Sequence, residues 1–171
     1  EAHFLDGFGT PDKKFHFAPD WSSAGSDWQR MPRLPDQWEI IDAATEDRPF
    51  RLVTSPARRF LHTSFTETPG SRAREKRPTV LIHPDDAVRL GVADGGRVEI
   101  GNARGAVVVH ARRFDGLLPG TVVVEGIWPS RDFEGGLGIN TLVGDDPIPP
   151  FGGGAFHDTA VWLRRDGAPT R

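Results

Sequence analysis

Turn-forming residues interrupt this chain at short intervals, and this spacing is the strongest constraint on its fold. The sequence has 20 Gly and 15 Pro among 171 residues, and the segments between them are mostly too short for long helices. Short strands joined by tight turns are typical of β-sandwiches and β-barrels. Because only one or two short helices are indicated, the spacing favours a closed β-barrel.

The clearest strand patterns lie in the second half of the chain. Alternating or apolar runs predict strands at 50–54, 79–83, 97–100, 106–111, 121–128 and 158–165. A helix is predicted at 84–91, because Pro suits a first helical turn and Gly91 suits a C-cap. We expect Gly95 and Gly105 to occupy turns with positive φ, and 121–128 to be buried on both faces. Polar or Gly- and Pro-rich loops are predicted at 66–78 and 129–157.

Residues 1–49 differ in character from the rest of the chain. They place Trp21, Trp28 and Trp38 in a polar context that Pro residues repeatedly interrupt. We therefore predict an extended N-terminal arm or linker over 1–49 and a barrel domain over 50–171. The Trp side chains pack either on another domain or on the barrel itself. Two short strand or contact segments are predicted in the arm, at 15–17 and 38–41.

Composition excludes several classes of function. The chain has no Cys, which excludes disulfides, thiolate metal sites and a thiol nucleophile, and its net charge of −3 does not favour nucleic-acid binding. No apolar run reaches the roughly 18 residues that a membrane span requires. The first residues do not resemble a signal peptide, so we expect a cytoplasmic location, although a chain without Cys also suits the periplasm.

No familiar catalytic motif is present in the sequence. The six His residues are scattered, and neither a metalloprotease helix, a phosphate-binding P-loop nor a hydrolase nucleophile elbow is found. A Gly-x-Gly at 136–138 is not followed by a helix pattern, so it is not a dinucleotide fingerprint of the Rossmann type. We therefore assign no catalytic and no metal-binding residues.

Several short motifs nevertheless occur in a specific order. The central ones are Pro-x-Asp-Ala at 84–87, Leu-Gly-Val at 90–92, Asp-Gly at 94–95, Asn-x-Arg-Gly at 102–105 and Pro-Gly at 119–120. Outside them lie Leu-His-Thr-Ser at 61–64, Asn-Thr-Leu at 140–142 and Asp-Pro-Ile at 146–148. In this order the motifs resemble the molybdopterin dinucleotide-binding domain of the dimethyl sulfoxide reductase family, which includes formate dehydrogenases and nitrate reductases.

The resemblance covers about residues 8–165 and extends into the arm. Thr10–Phe17 is similar to a Thr-Pro-Ser-Gly-Lys-Ile-Glu-Phe strand of the family, but Asp12 and Lys13 replace its Ser-Gly pair. The implied fold is a mainly β, double-psi β-barrel with one or two short helices. The implied function is that of a fragment, which forms one wall of a molybdopterin guanine dinucleotide site in a molybdenum or tungsten bis-pterin oxidoreductase.

The resemblance also implies what lies outside this chain. The metal ligand and the iron–sulfur ligands of the family belong to other domains, which agrees with the absence of Cys here. The remaining domains of the parent oxidoreductase are therefore the expected partners, and no nucleic acid or membrane span is expected. The isolated domain is not expected to be catalytic.

Five residues are candidates for contact with the cofactor. His62, Thr63 and Ser64 place three small hydrogen-bonding side chains on one loop, and Asn140 offers both a donor and an acceptor to a base or pterin edge. Asp85 could accept from the N1 and N2 edge of a guanine. The alternatives are a locally bonded turn at 62–64 and, for Asp85, a helix N-terminal role, which we favour.

Other polar or Gly-rich segments have open or structural interpretations. Backbone amides at 135–138 could approach a phosphate, or this stretch is a flexible loop. Asp86 suits the positive end of a helix dipole in the same way as Asp85. Asn102 and Arg104 are interpreted as parts of a hairpin turn.

Two other functions were weighed against a cofactor-binding fragment. A stand-alone double-psi barrel that acts as an adaptor module without cofactor is the main alternative, but it gives no reason for the motifs at 62–64 and 140–142. A self-cleaving decarboxylase of the same barrel class would need a strained Gly-Ser turn. Gly70-Ser71 lies instead in a charged, Arg-rich loop.

We predict that the 171-residue chain alone has no redox turnover. The sequence has no thiol that could bind a metal and no paired acid and base. Steady-state assays with formate, nitrate and a sulfoxide, each with an artificial electron donor or acceptor, should give no rate above buffer. Turnover by this chain with no other protein added would contradict this prediction.

Overall fold

A computed structural model describes residues 3–29, 31–34, 42–148 and 153–167. The chain divides into two compact units. The first comprises Glu1–Glu39 with Pro147–Gly154, and the second comprises Ile40–Asp146 with Ala155–Arg171. The second unit contains the barrel. The predicted domain boundary between residues 49 and 50 stays a prediction.

Six of the eight described strands form one closed barrel. In chain order the strands are β1 (Phe50–Ser55), β2 (Thr79–Ile82), β3 (Arg97–Asn102), β4 (Gly105–Arg113), β5 (Thr121–Glu125), β6 (Pro147–Ile148), β7 (Gly153–Gly154) and β8 (Thr159–Arg165). The order around the barrel is β1-β5-β2-β4-β3-β8, while β6 and β7 form a separate two-stranded sheet. The mainly β barrel predicted from the sequence is therefore confirmed.

Two strand pairs of the barrel are parallel and the other four are antiparallel. β1 runs parallel to β5, and β2 runs parallel to β4. Parallel neighbours cannot be joined by a tight hairpin, so the chain must cross over an end of the barrel between them. These crossovers give the barrel the double-psi character that the resemblance implies, and they bring connecting segments together over the barrel ends.

The barrel interior is filled by β-branched and aromatic side chains. The largest fully buried ones are Phe50, Leu52, Ile82, Ile100, Leu142, Val80, Val92, Val98, Val107, Val109, Val122 and Val124. The expectation that β5 is buried on both faces is wrong, because Val122 and Val124 are buried whereas Val123 is only partly buried. In a closed barrel alternate residues point inward and outward, so a uniformly apolar run still has an outer face.

Two short α-helices flank the barrel strands. Helix α1 (Pro69–Glu75) lies within the segment predicted to be a polar loop, and this prediction is wrong. Its Pro occupies the first turn, where the missing N–H costs no helical hydrogen bond. Helix α2 (Pro84–Arg89) confirms the predicted helix, and the His83 imidazole caps it by accepting from the Asp85 N–H.

The long connections contain short 3-10 helices rather than open loop. These lie at Trp21–Ala24, Ser26–Trp28, Ser130–Asp132 and Ile139–Leu142. The predicted arm segment at 15–17 is not a strand, and the segment at 38–41 falls outside the described residues. Within the arm, the Trp21 and Trp28 rings stack with centroids 5.2 Å apart. Among the described residues, no helix is long and apolar enough to cross a membrane.

The turn predictions at Gly95 and Gly105 have different outcomes. Gly95 has φ +74°, so the expected left-handed turn is confirmed. Gly105 has φ +159°, which is close to extended backbone, and its constraint is spatial instead. A Cβ added at Gly105 would lie 2.7 Å from the Thr141 Cγ2 atom.

Gly101 is needed because an indole ring covers it. Gly101 pairs with Trp162 across β3 and β8, and a Cβ at Gly101 would lie 2.2 Å from the ring. The Arg164 guanidinium lies 4.4 Å from the Trp162 ring centroid, and its Nε donates to Glu99 at 2.7 Å. The ring therefore has little freedom to move away.

We predict that Gly101→Ala lowers the free energy of unfolding by about 1–3 kcal/mol, because the added methyl displaces Trp162. Gly70→Ala is the matched control, since an added Cβ there meets nothing within 4 Å and Ala favours the helix. Urea unfolding followed by fluorescence measures both variants. Equal stability of the two would contradict the packing described here.

Candidate functional site

A cavity of about 650 Å³ lies at one end of the barrel. Because β1 and β5 are parallel, with Ser55 paired to Glu125, the segments that follow them emerge at the same end. Residues 54–57 and 126–127 form one side of the cavity. Residues 139–140, 143–145 and 156–157 form the other, and His62 completes the lining.

The cavity is largely apolar, with a few polar side chains at its border. Ala57 and Ile139 are buried in its wall, while His62, Asn140, Asp145 and His157 are exposed residues that line it. Apolar walls with a small number of polar groups are typical of sites for organic ligands, where the polar groups determine orientation. This arrangement suits a flat heterocycle with polar edges.

His62 sits on a tight turn with unusual backbone geometry. Leu61 and Ser64 exchange backbone hydrogen bonds of 3.1 and 2.8 Å across the turn. His62 has φ +52° and Phe65 has φ +67°, in the left-handed region that side chains other than Gly rarely adopt. Strained backbone of this kind persists only where surrounding contacts hold it, and it is frequent at binding sites.

The contact that holds this turn is made by Arg72 from helix α1. Its guanidinium donates to the Thr66 carbonyl at 3.0 Å, and the Thr66 hydroxyl donates to the Thr63 carbonyl at 3.1 Å. Arg72 also forms a two-contact pair with Asp132, at 3.1 and 2.5 Å. The Asp132 pKa is lowered chiefly by this hydrogen bond, so the carboxylate stays ionised at neutral pH.

Trp128 forms the third partner of this anchor. The Arg72 guanidinium lies 5.6 Å from the Trp128 ring centroid, and Phe60 packs edge-on against the same ring at 4.8 Å. A cation over an indole face and an edge-to-face aromatic pair both contribute favourable contacts. Helix α1, the His62 turn and the segment after β5 are thereby joined beside the cavity.

Asn140 is presented by the 3-10 helix Ile139–Leu142. Ile139 and Leu142 are buried and fix the helix to the barrel, while Asn140 between them is exposed and lines the cavity. The Asn102 side chain donates to the Leu142 carbonyl at 2.7 Å. Asn102 was interpreted as a turn residue only, so its contact with this distant segment was missed.

The structure brings together two of the five candidate residues and places the others elsewhere. His62 and Asn140 line the same cavity. Thr63 and Ser64 are exposed on the His62 turn, and the described residues include no hydrogen-bond partner for either hydroxyl. The alternative of a turn held by those two hydroxyls therefore receives no support, because the hydroxyl that bonds the local backbone belongs to Thr66.

Asp85 lies at the opposite end of the barrel from the cavity. It follows β2, whose last residue Ile82 pairs with Val122 near the start of β5, whereas the cavity follows the end of β5. Its side chain is 85% exposed, in the first turn of α2. This position fits the helix N-terminal role. Its neighbour Asp86 is buried and accepts from the Gly120 N–H at 2.7 Å.

Two polar residues of the cavity were not predicted from the sequence. Asp145 and His157 both line it, although neither belongs to the motifs at 61–64 and 140–142. The available signal was the parallel pairing of β1 and β5, which a strand pattern does not reveal. The Gly135 and Gly136 backbones adopt φ +80° and +73° but do not line this cavity. Among the described residues, no group of three His, Cys, Asp or Glu could hold a metal ion.

Residues 50–160 match the family model described as "Molydopterin dinucleotide binding domain". The chain belongs to this family. The catalytic chain of a dimethyl sulfoxide reductase from Halobacterium salinarum is 32% identical over 133 residues, which are 78% of this chain and 15% of that protein. A trimethylamine-N-oxide reductase of Haemophilus influenzae is also 32% identical over 133 residues, covering 75% of this chain and 16% of its own length.

A solved structure supports the same fold for the dinucleotide-binding domain. Acetylene hydratase from Pelobacter acetylenicus superposes with a TM-score of 0.72 at 18% identity, over 93% of this chain and 24% of that one. The domain thus spans less than a fifth of the two curated relatives and about a quarter of this neighbour. The family predicted from the order of the sequence motifs is confirmed.

We predict that Asp132→Asn destabilises the domain at pH 7 and that this loss shrinks as the pH falls. Arg72 holds the pKa of folded Asp132 below its ordinary value of 3.8, so the pair stabilises the fold above that pH. The stabilisation is lost as the pH falls through the folded pKa. Urea unfolding at pH 7, 5 and 3 measures the difference from the unsubstituted chain.

Glu67→Gln is the control, because it removes the same charge from the pair with Arg131, in which both side chains are mostly exposed. Such surface pairs contribute little. A loss for Asp132→Asn that is independent of pH, or equal losses for both variants, would contradict the proposed anchor.

Proposed function

We propose that this domain forms one wall of a molybdopterin guanine dinucleotide site in a molybdenum or tungsten oxidoreductase, with His62 and Asn140 at the centre of that wall. The observation that carries the proposal is the convergence of these two residues on one cavity. They come from motifs far apart in sequence, and each motif was matched to the family independently of the other.

The residues present fit such a group. Its ring system needs an apolar slot, which Ala57, Ile127, Ile139 and Val143 supply along the cavity. The slot also depends on Gly126, which has φ +85° and where a Cβ would lie 2.8 Å from the Ala57 Cβ atom. A side chain at that position would close the wall.

The polar edges of the ring system and the phosphates need hydrogen-bond partners. The His62 imidazole and the Asn140 amide each supply a donor and an acceptor at the border of the cavity. The Thr63 and Ser64 hydroxyls are exposed on the same turn as His62 and can donate to phosphate or to a sugar edge. When bound, the cofactor supplies the metal-centred redox chemistry, while these residues bind and orient it.

The rest of the parent enzyme would complete the enclosure. Several large apolar side chains are exposed on segments that line or flank the cavity, namely Leu61, Phe65, Ile127, Leu137 and Phe156. Clusters of exposed apolar residues indicate contact with another protein surface. We propose the remaining domains of the oxidoreductase as that partner, since this chain covers 15% and 16% of its relatives. A cytoplasmic location stays a prediction.

The proposal predicts that His62→Ala combined with Asn140→Ala lowers cofactor occupancy in the parent enzyme about tenfold, because two hydrogen bonds are lost together. Molybdenum and pterin per purified chain measure the occupancy, and circular dichroism checks that the barrel is folded. Asp85→Ala is the matched control, as an exposed polar residue at the other end of the barrel. Full occupancy in the double variant would refute the proposed wall.

A further inference from the structure

The tip of the β3–β4 hairpin packs closely against the segment that presents Asn140. The tip comprises residues 102–105, between the last residue of β3 and the first of β4. Three separate contacts join it to residues 141–144. Each leaves little or no room for movement, and each involves a different residue of the tip.

The first contact is the buried amide of Asn102. Its Nδ2 donates to the Leu142 carbonyl at 2.7 Å, and its Oδ1 accepts from the Arg104 N–H at 2.9 Å. The side chain is 8% exposed, so water does not readily replace either partner. Loss of one half of such a pair leaves a buried polar group unsatisfied, which costs more than the bond itself contributes.

The other two contacts are close approaches that depend on Gly. A Cβ at Gly144 would lie 2.8 Å from the Arg104 guanidinium, and a Cβ at Gly105 would lie 2.7 Å from Thr141. Arg104 is itself held by Asp42, with Nη1 donating at 2.8 Å. The hairpin tip is therefore fixed on its own side and in contact with the 141–144 segment on the other.

We propose that Asn102 is a positioning residue for the cofactor wall, which holds the 139–145 segment so that Asn140 and Asp145 face the cavity. The proposal rests on the proposed function. The Asn-x-Arg-Gly motif then has a role beyond its turn, because it links the barrel to a loop about forty positions further along the chain.

This role differs from a general contribution to stability. Asp86 at the opposite end of the barrel is also buried and also accepts from a loop backbone, at Gly120. Substitution at either residue should destabilise the domain, but only a change at Asn102 should loosen the cavity wall. The two residues therefore form a matched pair for a test.

The first measurement uses the 171-residue chain without cofactor. Asn102→Asp retains an acceptor for the Arg104 N–H but has no donor for the Leu142 carbonyl. Hydrogen–deuterium exchange of peptides covering 139–145 should become about tenfold faster, as expected for the loss of a buried hydrogen bond. Asp86→Asn should leave exchange in this segment unchanged. Equal exchange in Asn102→Asp and the unsubstituted chain would overturn the proposal.

The second measurement uses the parent enzyme carrying the same variants. Pterin release after dilution should be several-fold faster in Asn102→Asp than in Asp86→Asn when the two have similar melting temperatures. Release that tracks melting temperature equally in both variants would overturn the positioning role. If Asn102→Asp does not fold, Gly144→Ala perturbs the same contact from the loop side, and the same acceleration is expected.

An Asn140→Ala variant separates this proposal from the function on which it rests. Faster release in Asn140→Ala but not in Asn102→Asp would overturn the positioning role and leave the proposed function intact. Unchanged release in both would refute the proposed function itself, whatever the exchange measurement shows.

Discussion

The return of β8 between β1 and β3 is the pairing on which the rest of the molecule depends. β8 runs antiparallel to both neighbours, with Leu52 opposite Thr159 and Gly101 opposite Trp162. Without it the sheet would have two unpaired edges, and the long connection after β5 would have only one fixed end. Because both ends of that connection are fixed on the barrel, its residues can form a wall of defined geometry over the barrel end.

Local sequence patterns predicted most of the barrel but not the features that depend on distant contacts. The alternation in β3 and β8 is visible in a single strand, since one face of each is buried in the core. Helix α1 has no apolar face and was predicted as loop, because Arg72 contacts Asp132 and Trp128 far along the chain. The uniform Val run of β5 concealed an outer face that only closure of the barrel creates.

The candidate site was predicted in part, and for reasons that differ between residues. His62 and Asn140 were identified from the resemblance to a family, not from any pattern of their own, and both line the cavity. Asp145 and His157 could not be found in this way, because their closeness follows from the parallel register of β1 and β5. Asp85 was placed correctly at a helix start, but the end of the barrel to which that helix belongs is not a local property.

The anchors of the two cavity loops hold backbone rather than side chains. Arg72 binds the Thr66 carbonyl and Asn102 binds the Leu142 carbonyl, and every residue carries such a carbonyl. Exposed loop side chains can therefore be exchanged without loss of the contacts that hold the loops. A lineage could alter the chemistry of this wall by single substitutions at positions such as 62 and 140 while inheriting the scaffold unchanged. Such an arrangement separates the evolution of specificity from the evolution of stability.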